Sequence, residues 1–445
     1  MLTVLADRTY RHLFSAQVIA LIGTGLLTVA LALLAYDLAG EEAGAVLGTA
    51  LAIKMIAYVG VSPIVGAYAS RLPRRAFLVV MSLARAGVAL LLPFVSEIWH
   101  IYVLIFLLQS ASAAFTPTFQ ATIPDVLPAE KDYTRALSLS RLAYDLENLL
   151  SPMLAAVLLT VIDFHWLFGG TVFGFLAAAV LVVSVRLPQP LPTESGKGLY
   201  DNITRGIRIY LATPRLRGLL ALNLSAAAAG AMVIVNTVVL VRGWLGRTDD
   251  DVALAMACFG GGSMIAALAL PRVLDRTPDR AVMVPAAVLL GALLLGFAWI
   301  MTTVDVGMWP VLLVVWALAG LAYSAVLTPT GRLLRRSAQP ADRPAVFAAQ
   351  FALSHACWLV TYPIAGWLGV IAGAPVTLTV LGVLTLLGAG LSVVLWPAHD
   401  PDEIEHTHAE LDPDHPHLRE YQGSGRRHAH PYVIDDLHTS WPVTR

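Results

Sequence analysis

Charged or ionisable side chains interrupt the apolar stretches of this 445-residue chain at six positions: Lys54, Arg85, Arg141, Asp145, Glu147 and His355. A charge at the centre of a bilayer costs about 2.5–3.5 kcal/mol on insertion scales, so each position requires a partner or a function. Arg141 and Asp145 lie four residues apart and can pair on one helical face. Such a carboxylate can exchange its arginine for a proton or a cationic substrate. The alternative is a static ion pair that only joins helices.

The remaining charged positions carry weaker expectations. A neutral His355 can ligate a metal ion or relay a proton near physiological pH, or it can be a hydrogen-bonded histidine of the core. Glu147 is two positions beyond Asp145, so we expect it to face a different surface of the helix. Lys54 and Arg85 are interpreted as balancing charges rather than as ligands.

The C-terminal tail, residues 398–445, contains ten acidic and four basic residues and eight of the twelve histidines. Six of these histidines form His-x-His pairs: His406 and His408, His415 and His417, His428 and His430. Alternate residues of an extended chain project to one side, so each pair can present two imidazoles to one ion. Imidazole-rich sites suit zinc, copper and nickel. The pattern predicts capture of metal at several weak sites, and the alternative is a solvated tail with incidental histidines.

The composition indicates the elements that position these residues. Hydrophobic residues make up 57% of the chain and charged residues 13%, against about 25% charged in soluble domains. This excludes disulfide scaffolds, disordered proteins and nucleic-acid binders. Membrane-spanning helices need about 20 apolar residues, and long non-alternating runs favour helices over a barrel. Twelve such runs are present, at 13–37, 43–69, 76–96, 99–123, 136–160, 164–186, 215–241, 251–274, 281–301, 307–331, 344–371 and 375–397.

Arginine and lysine concentrate in one set of loops, whereas the opposite set holds only Arg242 and Arg247. The positive-inside rule places the basic loops, and with an even span count both termini, in the cytoplasm. The predicted fold is an all-α polytopic membrane protein with twelve transmembrane helices in two pseudo-symmetric six-helix halves. The predicted division is residues 1–186, a cytoplasmic linker 187–214, residues 215–397 and the acidic, histidine-rich tail 398–445.

Short matches recur between the two halves at a nearly constant offset. AFTPT at 114–118 corresponds to VLTPT at 326–330, and Ser151-Pro152 corresponds to Tyr362-Pro363. These correspondences predict a parallel repeat of six plus six helices. Under this offset His355 aligns with Tyr144, next to Asp145, so we expect the two helices to face one central cavity.

The loop GAYASRLPRR after the second predicted span contains four residues at a characteristic spacing: Gly66, Arg71, Arg74 and Arg75. With them the chain resembles the major facilitator superfamily, whose corresponding loop reads G-x-x-x-D-R-x-G-R-R. Ser70 and Pro73 replace the aspartate and the second glycine of that pattern.

A second copy of the loop retains three of its charged positions, Asp275, Arg276 and Arg280. Pro271 and Pro278 stand at its glycine positions. The resemblance implies a charge relay that holds the two halves closed at the cytoplasmic side. Because Ser70 carries no charge, one salt bridge of that relay is not expected here.

The stretch QATIPDVLPAEKDYTRALSLSRLAYDLENLLSP resembles an efflux branch of the superfamily. More narrowly, FALSHACWLVTYPIAGWLG and VIDDLHTSWP resemble bacterial nickel-resistance exporters. The resemblance implies a monomeric proton antiporter in the bacterial inner membrane. Its partners would be lipid, protons and a small-molecule or metal-ion substrate, with no nucleic acid and no resident cofactor. The sequence lacks the phosphate-binding loop of nucleotide hydrolases and the common hydrolase motifs, so an enzyme is not expected.

The leading hypothesis is therefore proton-coupled export of a divalent transition metal, with nickel as the first candidate. One alternative is a multidrug or small-metabolite exporter with an incidental tail. A second alternative is a membrane sensor or scaffold that does not transport.

Overall fold

The structure is a computed structural model that describes residues 2–39, 43–68, 71–189, 199–303, 307–401, 403–407, 417–418 and 427–442. Its α-helices are α1 (Arg8–Ala39), α2 (Ala43–Tyr68), α3 (Arg74–Leu91), α4 (Ile98–Val126), α5 (Glu130–Leu159), α6 (His165–Val183), α7 (Leu199–Ala212), α8 (Pro214–Val238), α9 (Asp249–Leu274), α10 (Asp279–Thr303), α11 (Met308–Leu327), α12 (Thr330–Arg336), α13 (Arg343–Ile371) and α14 (Gly373–Leu395). Two strands follow, β1 (Glu403–Thr407) and β2 (Arg427–Pro431).

Eleven of the described helices are long and apolar enough to cross a membrane. The helix α5 covers the predicted span 136–160 but is not among them, and it carries Arg141, Asp145 and Glu147. The prediction of an all-helical membrane protein is confirmed, with eleven or twelve membrane helices. The predicted boundaries agree closely, and the largest difference is at α5, which begins at Glu130 rather than at 136.

Local sequence signals set several helix ends. Thr248 and Asp251 form a capping box at the start of α9, in which each side chain accepts a hydrogen bond from the other residue's backbone N–H. Between α13 and α14 only Ala372 intervenes, and Gly373 has a φ of +78°. Glycine adopts this left-handed conformation without steric cost, which permits the tight reversal.

Buried apolar side chains form two separate clusters. One contains only residues between Val4 and Leu187, and the other consists of residues from Ile209 onwards together with Ala121. The second cluster includes Tyr432 and Ile434 of the tail. The closing segment of the tail is therefore packed on the transmembrane body.

The linker helix α7 lies against the transmembrane bundle. It packs against α13 and α2, and its Tyr210 is completely buried. A Cβ atom on Gly206 would overlap the carbonyl oxygen of Ala345, so the backbones of α7 and α13 are in direct contact. The apolar face of α7 packs on protein, because α2 ends and α13 begins beside this helix.

Helices α9 and α11 approach each other through two glycines at van der Waals distance. A Cβ on Gly262 would overlap the carbonyl oxygen of Ala317, and one on Gly320 would overlap that of Phe259. Small residues permit such close approach in membranes, where helix association depends on packing rather than on the hydrophobic effect.

We expect Gly262→Ala to destabilise the C-terminal half, since the added methyl group meets backbone atoms that cannot move away. Overpacking of this kind costs about 1–3 kcal/mol. A Cβ on the adjacent Gly261 would have no atom within 4 Å, so Gly261→Ala is the matched control. Thermal unfolding in detergent measures the effect, and equal melting temperatures for the two variants would contradict it.

Candidate functional site

Asp145 lies at the interface between α5 and α9, where the two halves meet. Its carboxylate is 3% exposed, and its Oδ1 is 2.7 Å from Nη2 of Arg141. Ser263 of α9 donates a hydrogen bond from Oγ to Asp145 Oδ2 at 2.6 Å. The Arg141 guanidinium donates from Nε and Nη2 to the same Oγ, at 3.2 and 3.1 Å, and lies over the ring of Tyr323. Ser263 and Tyr323 thus bring the other half to this ion pair.

His355 occupies the interface between α13 and α2. Its Nδ1 is 2.7 Å from the carbonyl oxygen of Phe351, so it donates to its own helix. Its ring contacts that of Tyr58 at a centroid distance of 4.7 Å, and Tyr58 donates from its hydroxyl to Gln109 Oε1 at 2.8 Å. Lys54 is 5.6 Å from the Tyr58 ring and interacts electrostatically with His355.

The two predicted centres are at similar depth but at different interfaces. Asp145 and His355 lie about 20 Å from the starts of α5 and α13 at 1.5 Å per residue, close to the middle of a core about 30 Å thick. Asp145 contacts α9, whereas His355 contacts α2. Lys54 of α2 and Glu147 of α5 carry opposite charges and attract each other.

Arg85 is not part of either centre. Its guanidinium lies between the rings of Phe115 and Phe175, at 4.0 and 4.6 Å from their centroids, and donates to Ser82 Oγ. Cation–π contacts therefore hold this buried charge within the N-terminal half.

The loops 71–73, 127–129, 275–278 and 337–342 lie at one end of the bundle, which we call the basic end. Here Arg74 is 1% exposed, and its Nη1 is 2.6 Å from Asp125 Oδ2. The other oxygen of Asp125 is 2.5 Å from Nη1 of Arg343, on the opposite half. Arg71 and Arg75 are exposed, and Arg71 lies over the ring of Tyr68. Ser70 is outside the described residues, and Asp125 supplies the carboxylate that pairs with Arg74.

Gly66, the first position of the loop pattern, is at a close contact between the halves. A Cβ atom there would lie 2.5 Å from Cβ of Ala348 and 3.3 Å from Cα of Ala345. One turn away, Ser62 donates from Oγ to the carbonyl oxygen of Ala348 at 3.0 Å.

The second loop copy has a different environment. Arg280 donates to the carbonyl oxygens of Trp396 and Val393, and Asp275 is the C-cap of α9, followed by Arg276 on the surface.

The connection between halves near the second loop is made by Arg332, which belongs to neither copy of the loop pattern. Its Nη2 is 2.5 Å from Glu130 and its Nε is 3.0 Å from Asp279. Together with the Asp125–Arg343 pair, this ion pair closes the basic end. In the sequence, only the acidic residues Asp125 and Glu130, one at each end of the loop between the fourth and fifth spans, point to these ion pairs.

The tail histidines converge on one point. His406, His417, His428 and His430 each offer a ring nitrogen, and these atoms all lie within 4.8 Å of one another. The antiparallel pairing of β1 with β2 places His406 opposite His428. His428 and His430 are both buried on the same side of β2. His408 and His415 lie outside the described residues.

His438, which is not among the histidines predicted to bind metal, lies beside this group. Its Nε2 is 3.1 Å from Nε2 of His406, and its ring centroid is 5.1 Å from that of His430. Desolvation, together with the neighbouring histidines, lowers the pKa of His406 to about 4. His406 is therefore neutral at physiological pH, the form that ligates metals.

Hydrogen bonds fix the tautomers of three of these rings. The Nδ1 atoms of His406, His430 and His438 donate to the carbonyl oxygens of Ile404 and Pro431 and to the Asp435 carboxylate, respectively. Each neutral ring then carries its lone pair on Nε2. In a tetrahedral zinc site the nitrogens are about 3.3 Å apart, given metal–nitrogen bonds of 2.0–2.1 Å. The geometry of the cluster therefore fits a borderline divalent cation.

The profile of the Major Facilitator Superfamily matches residues 13–303 and 220–429. The chain belongs to this superfamily. The superfamily consists of transporters and not of enzymes, in agreement with the expectation from the sequence. The two overlapping matches together cover almost the entire transmembrane body.

Curated proteins resemble this chain in sequence over part of their length. The macrolide efflux protein A of Streptococcus pyogenes is 23% identical over 182 residues, 40% of this chain and 44% of the relative. An uncharacterized MFS-type transporter, YfiS of Bacillus subtilis, is 24% identical over 214 residues, 46% of this chain and 50% of the relative. The chain thus spans half or less of the length of these curated relatives.

Solved superfamily structures match nearly over their full length. The human organic anion transporter MFSD10 has a TM-score of 0.69 at 14% identity, covering 86% of this chain and 99% of that one. A bacterial homologue of the iron transporter ferroportin, in an outward-facing state, has a TM-score of 0.71 at 13% identity, covering 87% and 98%. At these identities the similarity shows the fold alone.

Proposed function

We propose that this superfamily member exports a divalent transition metal, nickel first, in exchange for protons. The observation that carries the proposal is the histidine cluster of the tail, which is folded against the transmembrane body. Four imidazoles converge there with His438 beside them, and imidazole-rich sites select zinc, copper and nickel over magnesium and calcium.

The proposed location and orientation in the membrane rest on the distribution of basic residues. We place the protein in a bacterial plasma membrane as a monomer, with the basic end and both termini in the cytoplasm, as the positive-inside rule requires. The tail then collects metal on the side from which an exporter takes its substrate. The similarity to a macrolide efflux protein supports the export direction.

Asp145 is the coupling carboxylate in this proposal. In the described arrangement Arg141 and Ser263 satisfy it, and Ser263 belongs to the opposite half. When the halves rock about the midplane, this contact opens and the carboxylate exchanges Arg141 for a proton or the cation. His355 of α13 and Glu147 of α5 provide further polar groups for the cation.

A second candidate function is export of an organic drug, with the tail as an accessory. It is favoured by the macrolide efflux proteins among the curated relatives. In that case the apolar surfaces between the two halves would bind the organic substrate, and substitutions in the tail would leave transport unchanged.

The test uses a metal-sensitive bacterial host. Expression of the wild-type chain is expected to raise the tolerated nickel concentration and lower cellular nickel by several-fold. The double variant His406→Ala with His430→Ala is expected to lose about tenfold in apparent affinity, the scale on which metal-site residues act. The control is His100→Ala, a histidine remote from the tail. If neither nickel, zinc nor copper changes growth or accumulation while a macrolide does, the organic alternative replaces the proposal.

A further inference from the structure

The histidine cluster is connected to the transporter body through Asp435. Its Oδ1 accepts hydrogen bonds from His438 Nδ1 at 2.8 Å and from the backbone N–H of His438 at 2.7 Å. Its Oδ2 accepts from Nε2 of Gln339 at 2.7 Å. One carboxylate thus joins a histidine of the cluster to the loop that precedes α13.

The adjacent Asp436 reaches the linker helix. Arg205 of α7 donates from Nη1 to Asp436 at 3.0 Å and from Nε and Nη2 to the two oxygens of Asp342 at 2.5 and 3.0 Å. The pairing with Asp342 is bidentate, the stronger and more directional form of an ion pair. Arg205 therefore holds the tail, the linker and the start of α13 together.

This contact is adjacent to the connection between the halves. Arg343 follows Asp342 directly and pairs with Asp125 of the N-terminal half. The helix α7 also packs against α2 of that half. His438 bonds to Asp435, and the adjacent Asp436 bonds to Arg205. Arg205 in turn bonds to Asp342 beside the closed basic end.

We infer that a divalent cation held by the Nε2 atoms of His406, His430 and His438 fastens the tail to the linker and thereby stabilises the closed basic end. His438 is the essential ligand, because its Nδ1 donates to Asp435. A ligating histidine whose second nitrogen donates to a carboxylate has a fixed orientation, so metal binding orders the turn from Asp435 to His438.

The expected size follows from linkage. A cation that binds only the docked tail favours that state by the factor 1 + [L]/Kd, about a hundredfold at a free concentration 100 times Kd. Only part of this free energy stabilises the contact between the halves, so we expect a change of about tenfold in the closed-to-open ratio. The inference rests on the proposed metal binding by the tail, but not on metal being the transported substrate.

The experiment uses the full-length chain in lipid nanodiscs, with Cys258 and Cys357 replaced by alanine and spin labels at Lys131→Cys and Arg276→Cys. Both label positions are exposed at the basic end, on opposite halves. Addition of zinc chloride is expected to shift the distance distribution towards the short, closed population. Calorimetry on the same samples measures zinc binding separately.

Arg205→Gln is the decisive variant, and Arg208→Gln is its control, since Arg208 pairs with Asp201 of the same helix. We expect Arg205→Gln to retain zinc binding, at an affinity lowered by the lost docking contact, but to lose the distance response, and Arg208→Gln to keep both. A wild-type chain that binds zinc without a distance response overturns the inference and leaves the proposed function intact. An unchanged response in Arg205→Gln also overturns it. A wild-type chain that binds no zinc overturns both this inference and the tail's part in the proposed function.

Discussion

Asp145→Asn is expected to abolish proton-driven transport. Asparagine has nearly the same shape but cannot take up a proton, and it leaves Arg141 without its counter-charge in a buried interface. Removing one partner of a buried ion pair costs about 3–5 kcal/mol, which corresponds to more than about a hundredfold in an equilibrium constant. The measurement is substrate flux into proteoliposomes under an imposed pH gradient.

The control is Asp163→Asn, on the loop between α5 and α6. This carboxylate is 62% exposed and bonds only locally, to His165, so its removal is expected to leave flux unchanged. A flux that responds to the pH gradient equally in Asp145→Asn and in the wild type would exclude Asp145 as the coupling group. If Asp145→Asn also loses the downhill substrate flux that needs no pH gradient, the pair only joins the helices.

At the Asp145 centre, the sequence predicts the ion pair but not its partner from the other half. The four-residue spacing predicts that Arg141 and Asp145 pair, because a helix places such residues on one face. Ser263 could not be found in this way, since it is an uncharged residue 118 positions away whose role depends on the contact between α5 and α9. Helix packing between the halves, rather than local pattern, determines the third member of the centre.

The tail shows a similar division. Alternation predicts that His428 and His430 share one side of an extended strand, and both are buried together on β2. The convergence with His406 depends on the register of β1 against β2, which pairs His406 with His428 across a long stretch of chain. His438 belongs to no His-x-His pair, and only the turn anchored by Asp435 brings it to the group. The expectation of several separate weak sites did not anticipate this convergence.

At the basic end, the loop pattern indicates a charge relay, but Ser70 stands where its aspartate is expected. The structure provides the carboxylate from the end of α4, where Asp125 binds Arg74 on one side and Arg343 on the other. The relay across the halves therefore depends on the proximity of helix ends. An acidic residue shortly before a proline, as Asp125 is before Pro128, is too common a pattern to identify Asp125 as the carboxylate of the relay.

Gly66→Ala is expected to shift the transporter away from the closed basic end. The added Cβ would lie 2.5 Å from Cβ of Ala348, on the opposite half, and both atoms are attached directly to helix backbones. The clash arises only when α2 and α13 approach each other, so its cost of about 1–3 kcal/mol falls on the closed state alone. This lowers the closed-to-open ratio about five- to 150-fold.

Gly60→Ala is the matched control, because Gly60 lies on the same helix and a Cβ there would have no atom within 4 Å. Both substitutions raise the helix propensity of α2 equally, by about 1 kcal/mol, so only the contact with Ala348 distinguishes them. Distance distributions between labels at Lys131→Cys and Arg276→Cys are expected to lengthen in Gly66→Ala and to stay unchanged in Gly60→Ala. Identical distributions in Gly66→Ala and Gly60→Ala would show that closure does not require a glycine at position 66. The glycine of the loop pattern would then have another cause.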